Sequence, residues 1–433
     1  MAEQQKKGVF VAVVAMMFLF AMISFVTNMA APFGQIWKIQ YEWAGMMGNM
    51  MNFAAYLFMG IPAGIMITKM GYKKTALVAL VLGFTGVLVQ YISSTLDGGA
   101  ISTYIVYLLG AFICGFCVCI LNTVVNPMLN LLGGGGNKGN QFIQIGGSLN
   151  SLAGTFTPLL VGAMIGQVTD KTSMGDVSPL LMIAMAIFAG AFVIIFFTKI
   201  TEPEQADGDI MSMVKGALGF RHLVLGIIAI FFYVGVEVGI PGEMIFYLSK
   251  PVAEGGVLGS AAIAGTVAAV YWLLMLVGRL TSSFISGAVS TKTQIVTVCS
   301  VCLALLLAAI FVPESVTFSL PGSVESPADF VLFTFTGGEL PIKCLFLVLC
   351  GLCTSVMWGG IFNLATEGLG KFTAAASGLF MTMVVGGGVM PLLQDTLAGV
   401  VGYVSSYWLV VAMVAYMLFY GLIGSKPSKK AEE

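Results

Sequence analysis

The sequence predicts an all-α polytopic membrane protein, with twelve transmembrane helices in two pseudo-symmetric six-helix bundles and both termini in the cytoplasm. Three observations predict it. Charged residues make up 9% of the 433-residue chain and hydrophobic residues 58%, against about 25% and roughly 45–50% in soluble domains. So few charges cannot cover a soluble surface of this size, and so much apolar surface does not stay disordered. The apolar residues also fall into runs of the roughly 20 residues a helix needs to cross a bilayer, not the alternating segments of about ten that build a barrel. Finally, Gly, Pro and Asn positions in the first half recur in the second.

The runs are read in order as spans over 9–32, 44–67, 75–93, 101–132, 141–168, 177–198, 221–248, 260–288, 293–312, 341–366, 372–398 and 403–424. Several exceed a straight crossing, which implies tilt or extension past the headgroups. The first run is long and lacks a short core with a small-residue cleavage site, so it is read as an uncleaved signal anchor. Segment 199–220, with Glu202, Glu204, Asp207 and Asp209, is the most polar connection and divides the chain into 1–198, a linker 199–220, and 221–433. The stretch 313–340, rich in Pro, Ser and Gly, is the longest loop on the opposite side and has room for a turn or strand. With both termini inside, 15 of the 19 Lys and Arg lie on the cytoplasmic side, among them Lys69, Lys73, Lys74 and Arg279. Only Lys38, Lys171, Lys250 and Lys343 lie outside, which is the bias that orients membrane proteins.

The internal echoes pair span n with span n+6. Gly154 and Gly387, Pro158 and Pro391, and Asn130 and Asn363 are each 233 residues apart. Asn28-x-x-x-Pro32 and Glu237-x-x-x-Pro241 are 209 apart, and Gly64 in span two answers Gly278 in span eight. Duplication of a six-helix unit accounts for the set. Transporters built this way bind their ligand near the bilayer midplane, between the repeats.

Gly60-Ile-Pro-Ala-Gly64 through Lys69-Met-Gly-Tyr-Lys-Lys74 resembles the major facilitator signature after span two, with Thr68 where the family carries Asp. Four further stretches are similar to the fucose/glucose/galactose permeases of that superfamily. They are Asn126-Pro127 with Ser148-Leu-Asn-Ser-Leu152; Tyr233-Val-Gly-Val-Glu-Val238; Tyr271-Trp272 with Val277-Gly-Arg-Leu280; and Ile361-Phe-Asn-Leu-Ala365 with Gly368-Leu-Gly-Lys371. The resemblance implies the major facilitator fold, a multi-pass protein of a bacterial inner membrane, and sugar transport by alternating access. In such permeases a carboxylate in span one and another in span four carry the proton. Those positions fall here on Asn28 and Asn122. An amide binds hydroxyls but does not exchange a proton near neutral pH.

Polar groups in mid-membrane are expensive and point to function. Glu237, 16 residues into span seven, is read as a cavity carboxylate that binds sugar hydroxyls, a proton or a sodium ion and so as both substrate-binding and ion-coupling residue, with helix packing as the structural alternative. Asn28, Asn122, Asn126, Gln144, Asn150 and Asn363 are amides that can fork onto sugar hydroxyls; inter-helix hydrogen bonding is their alternative role. Trp272 and Trp358 offer faces on which a sugar ring stacks, or else are core. Asn49 and Asn52 are read as packing residues. Glu243, just past Pro241-Gly242, is read as a second carboxylate able to act with Glu237 though nearer the outer mouth, and Asp395 is read as structural or gating. Trp37, Trp43 and Trp408 are read as interfacial. Arg279 and the Lys69 cluster are assigned to helix ends at the cytoplasmic face, so no Arg or Lys is expected deep in the cavity, which favours a neutral ligand.

Other chemistry is disfavoured. The single histidine, His222, excludes sites that need two. Cys114-x-x-Cys117-x-Cys119, Cys299-x-x-Cys302 and Cys350-x-x-Cys353 have metal-like spacing but lie inside apolar spans, where Cys behaves as a small hydrophobe. Gly133-Gly-Gly-Gly-Asn-Lys-Gly139 lacks the Ser/Thr and preceding strand of a phosphate loop and is read as a turn. No catalytic residue, cofactor or metal is expected, and the net charge of −1 with no basic domain leaves no nucleic-acid partner. The expected protein is a monomeric permease for a small neutral hexose or deoxyhexose, coupled to H+ or Na+ through Glu237. The alternatives are an uncoupled sugar facilitator or an exporter of drugs or lipids on the same fold.

Overall fold

The computed structural model describes residues 2–96, 100–132, 136–166, 171–198, 210–251, 256–257, 260–285, 289–319, 339–369 and 372–427. The linker acids 202–209 and the centre of the loop 313–340 lie outside them. Among the described residues, twelve segments are long and apolar enough to cross a membrane. Because the number is even, both termini emerge on one face, here the terminal face; the opposite one is the far face.

In the first half, span one is α1 (Ala2–Thr27) followed by α2 (Ala30–Gln40). The break falls at Asn28–Met29 because Pro32 has no N–H to bond the carbonyl of Asn28, four residues back. The chain turns through a 3₁₀ turn at Glu42–Ala44 into α3 (Met47–Ser94), which carries spans two and three. At Gly71 the backbone takes φ 81° and ψ 169°, a conformation that favours glycine and lets one helix turn directly into the next. Next come α4 (Ile101–Leu132), α5 (Gly136–Ile165) and α6 (Ser178–Phe197). Helix α5 begins at Gly136, so it takes in much of the glycine-rich stretch expected to be a turn; 133–135 lie outside the described residues. Lys73 donates to the carbonyls of Phe196 and Thr198, both at 2.8 Å, capping the end of α6.

A short helix α7 (Ile210–Ala217) leads into the second half. There follow α8 (Arg221–Ser249), α9 (Ala261–Ile285), α10 (Thr291–Phe311) and α11 (Ile342–Thr366). Span eleven is split into α12 (Thr373–Met383) and α13 (Gly386–Val401), ahead of three consecutive glycines and Pro391. Span twelve is α14 (Tyr403–Phe419), whose last turn widens into a π-helix at Tyr420–Gly424. The far-face loop contributes a two-stranded antiparallel ribbon, β1 (Thr317–Ser319) and β2 (Glu339–Pro341), with Phe318 opposite Leu340.

Pseudo-symmetry is visible in the packing. Gly154 of α5 has no side chain where Ser24 of α1 and Trp272 of α9 close in; a Cβ there sits 3.0 Å from the Ser24 hydroxyl and 3.1 Å from the indole. Its counterpart Gly387 is pressed by Val234 of α8 and Phe53 of α3. Span five thus meets spans one and eight, and span eleven meets spans seven and two. All eight cysteines are buried free thiols inside helices. Trp43 and Trp408 are exposed, as interfacial residues should be, but Trp37 is 2% exposed. The helix continues past Pro32 and carries Trp37 against α4, where its ring lies 4.7 Å from that of Tyr104 and 5.4 Å from that of Tyr107.

Candidate functional site

Between the halves lies a cavity of about 620 Å³. Its wall runs from Pro32, Gly242 and Ile245, on the far side, to Ser282, Thr291 and Gln294 at the terminal-face ends of α9 and α10. On the far side the halves are sealed together. Lys38 of α2 forms a salt bridge with Asp395 of α13, and its ammonium also lies 4.2 Å from the centre of the Phe246 ring. Lys250 pairs with Glu42 at 3.7 Å. Asn49 donates to the carbonyl of Gly387 at 2.7 Å. Gly162 of α5 and Gly265 of α9 cross so closely that a Cβ on Gly265 comes 2.3 Å from the Pro158 carbonyl oxygen.

Asn28, Asn122, Asn126, Asn150, Glu237, Trp272, Trp358 and Asn363 all line the cavity. The side chain of Gln144 lies outside the described residues. The amides share one arrangement. Asn28 donates its Nδ2 to the Ser24 carbonyl at 2.9 Å and the Ser24 hydroxyl at 3.0 Å. Asn126 donates to the Asn122 carbonyl and Asn150 to the Phe20 carbonyl, both at 2.9 Å. Asn122 donates to the Tyr56 hydroxyl at 2.7 Å. In the first, second and third cases a backbone carbonyl can only accept, so the NH₂ must face the protein and the carbonyl oxygen is left for the cavity. The wall therefore offers acceptors to a ligand rich in O–H donors. Trp358 is held edge-on by Tyr233 and Phe380, with ring centres 6.1 and 6.4 Å away, so its ring orientation is set before a ligand arrives.

Arg279 corrects the expectation of a cavity without a cation. It lines the cavity, with Nη2 3.3 Å from Glu237 Oε1 and Nη1 2.7 Å from the Gly147 carbonyl of α5. The cause is helix polarity. Side chains lean toward the N-terminus of their own helix. Helix α9 starts at the far face, so Arg279 leans inward from its terminal-face position; α8 starts at the terminal face, so Glu237 leans to meet it. Each side chain is 13% exposed.

Other placements differ from the sequence reading. Glu243 does not line the cavity: it is fully buried, with neither carboxylate oxygen hydrogen-bonded, in the field of Lys38 and Asp395. Asn49 packs, as expected, but also lines the cavity. Sequence reasoning passed over Tyr56, Ser24, Ser355 and Gln294, which are on the wall. Ser24 was within reach, since it stands one helical turn before Asn28. Tyr56 gives no such signal, because an aromatic in an apolar span reads as core.

A twelve-span bundle with a polar cavity enclosed between two related halves is the architecture of a secondary transporter. The chain belongs to the Major Facilitator Superfamily, whose family model matches residues 9–383; it is a multi-pass membrane transporter, not an enzyme. It is 29% identical to a glucose/galactose transporter of Brucella abortus, over 86% of this chain and 84% of that one. It is 21% identical to the L-fucose-proton symporter of Escherichia coli, over 95% and 91% of the two chains. A crystal structure of the E. coli fucose:proton symporter FucP superposes with a TM-score of 0.69 at 18% identity, covering 96% of this chain and 98% of that one, which establishes the fold. The likeness to fucose/glucose/galactose permeases in the sequence is thus matched by relatives of that description.

Proposed function

We propose that the protein is a permease for a small neutral sugar, of the hexose or deoxyhexose class, working by alternating access. One observation carries the reading: the cavity between the halves is lined by amides, of which Asn28, Asn126 and Asn150 have their NH₂ groups held by backbone carbonyls, and by two indoles, and its two charged side chains neutralise each other. Such a wall suits a ring with hydroxyl donors on its edge and C–H groups on its face. The names of the relatives support the substrate class. The residues that bind it are Asn28, Asn122, Asn126, Asn150, Asn363, Trp272 and Trp358, with Gln144 as the sequence candidate on α5. Taking the terminal face as cytoplasmic from the Lys and Arg bias, the cavity faces the cytoplasm and the Lys38–Asp395 seal closes the outside.

Coupling runs through Glu237, to H+ or Na+, because Asn28 and Asn122 cannot exchange a proton. Uncoupled facilitation is the second reading, and the Arg279 ion pair favours it, since a carboxylate held by a guanidinium is less free to trade cations. Reconstituted protein decides. Counterflow of labelled glucose, galactose and fucose tests the sugar reading; failure of all three sinks it. Accumulation driven by an imposed H+ or Na+ gradient, lost in Glu237→Gln while counterflow persists, is the result expected of coupling. Unchanged gradient dependence in that variant removes Glu237 from the coupling step.

A further inference from the structure

Among the described residues, Glu237 and Arg279 are the only charged side chains on the cavity wall. They are on adjacent helices of the same half, 3.3 Å apart, and both are mostly buried. Arg279 spends its other branch on the Gly147 carbonyl of the opposite half, which leaves the guanidinium turned to protein groups on two sides. The pair adds no net charge to the cavity. A charged ligand entering it leaves bulk water for a wall that offers it no free counter-ion, and that is unfavourable for either sign.

We propose that the Glu237–Arg279 pair is the specificity filter of this site: Glu237 silences Arg279 toward sugar acids, and Arg279 silences Glu237 toward amino sugars. The inference rests on the sugar-permease reading and deepens it, since it assigns the preference for neutral sugars to two named side chains. Discrimination here comes from the penalty imposed on the wrong ligand, not from added contacts with the right one. Deleting one partner uncovers the other, so the two single variants should change selectivity in opposite directions.

The test uses equilibrium binding to the purified full-length protein, read by intrinsic fluorescence, since Trp272 and Trp358 are on the cavity wall. The probes are D-galactose, D-galacturonate and D-galactosamine at pH 6, with the corresponding glucose set in parallel. In the wild-type protein, the acid and the amine are expected to bind at least tenfold more weakly than the parent sugar. Glu237→Gln should shrink the handicap of the acid tenfold or more and leave that of the amine. Arg279→Gln should do the reverse. The double variant, again neutral, should regain neither charged ligand. Unchanged ratios in the single variants overturn the proposal, as does wild-type binding of either charged sugar on a par with its parent. The wild-type arm stands even where a variant does not fold. Absence of binding by every neutral sugar defeats the permease reading instead, so the two failures are distinct.

Discussion

Replacing Lys38 with Met should unlock the far face. In the closed arrangement, the Lys38 ammonium faces Asp395 and the Phe246 ring, with the buried Glu243 in the same field. The Lys38 side chain is 15% exposed and that of Asp395 4%, so the pair is largely desolvated. Removing one partner of such a pair costs about 3–5 kcal/mol, because a buried charge is left alone. Opening the far face lets water reach Asp395 and relieves that cost, so the penalty falls on the closed state. Even the lower figure shifts the balance roughly 100-fold toward opening, at about 1.4 kcal/mol per tenfold. A reporter Cys at Met46, which is fully buried in the seal, reads the shift through its labelling by a membrane-impermeant maleimide. The native cysteines are buried and absent from the cavity wall, so background should be low. Lys38→Met should label at least tenfold faster than the parent. Asp395→Asn should have a smaller effect, since Glu243 remains to face Lys38. Equal labelling in Lys38→Met and the parent refutes the argument.

Three further outcomes follow from the packing and the caps. Gly265→Val places its side chain against the backbone oxygen of Pro158, which cannot rotate away, so α5 and α9 must part at the far face; the same labelling assay should accelerate, and an unchanged rate counts against the seal. Trp358→Ala should weaken sugar binding at least tenfold, whereas Trp408→Ala, on the exposed surface, should stay within twofold; equal effects would remove Trp358 from the site. Lys73→Met uncaps α6 at a cost of about 1 kcal/mol, which should lower the thermal midpoint in detergent and leave the half-saturating sugar concentration unchanged.

The legible part of the site has a physical basis. Amides and a carboxylate inside apolar runs stand out because the bilayer makes them costly, and six of the seven residues selected in that way line one cavity, the side chain of Gln144 lying outside the described residues. Of the residues passed over, Tyr56 belongs to a type that occurs in packed helices without special cause, and Gln294 stands in the first turn of α10, at the terminal face, where an amide does not stand out. Arg279 was misplaced because its distance along the chain locates the Cα, whereas the direction of the helix decides where a side chain of that length ends. The wall position of Asn49 depends on how α3 meets α13, a contact between residues 338 apart in the chain.

Composition and periodicity by themselves determined that this is a membrane protein of twelve helices with an internal repeat, because hydrophobic length and the scarcity of charge are properties of the chain. They also located the polar groups that a membrane does not tolerate without purpose. Which groups meet was decided by the tertiary structure. Glu237 faces Arg279, Lys38 faces Asp395, and Asn28, Asn126 and Asn150, their NH₂ groups held by backbone carbonyls, keep their carbonyl oxygens for a common space. Those pairings arise from the packing of helices within each half and of one half against the other, and they decide which charges are silenced, which hold the far face shut, and which acceptors remain for a ligand.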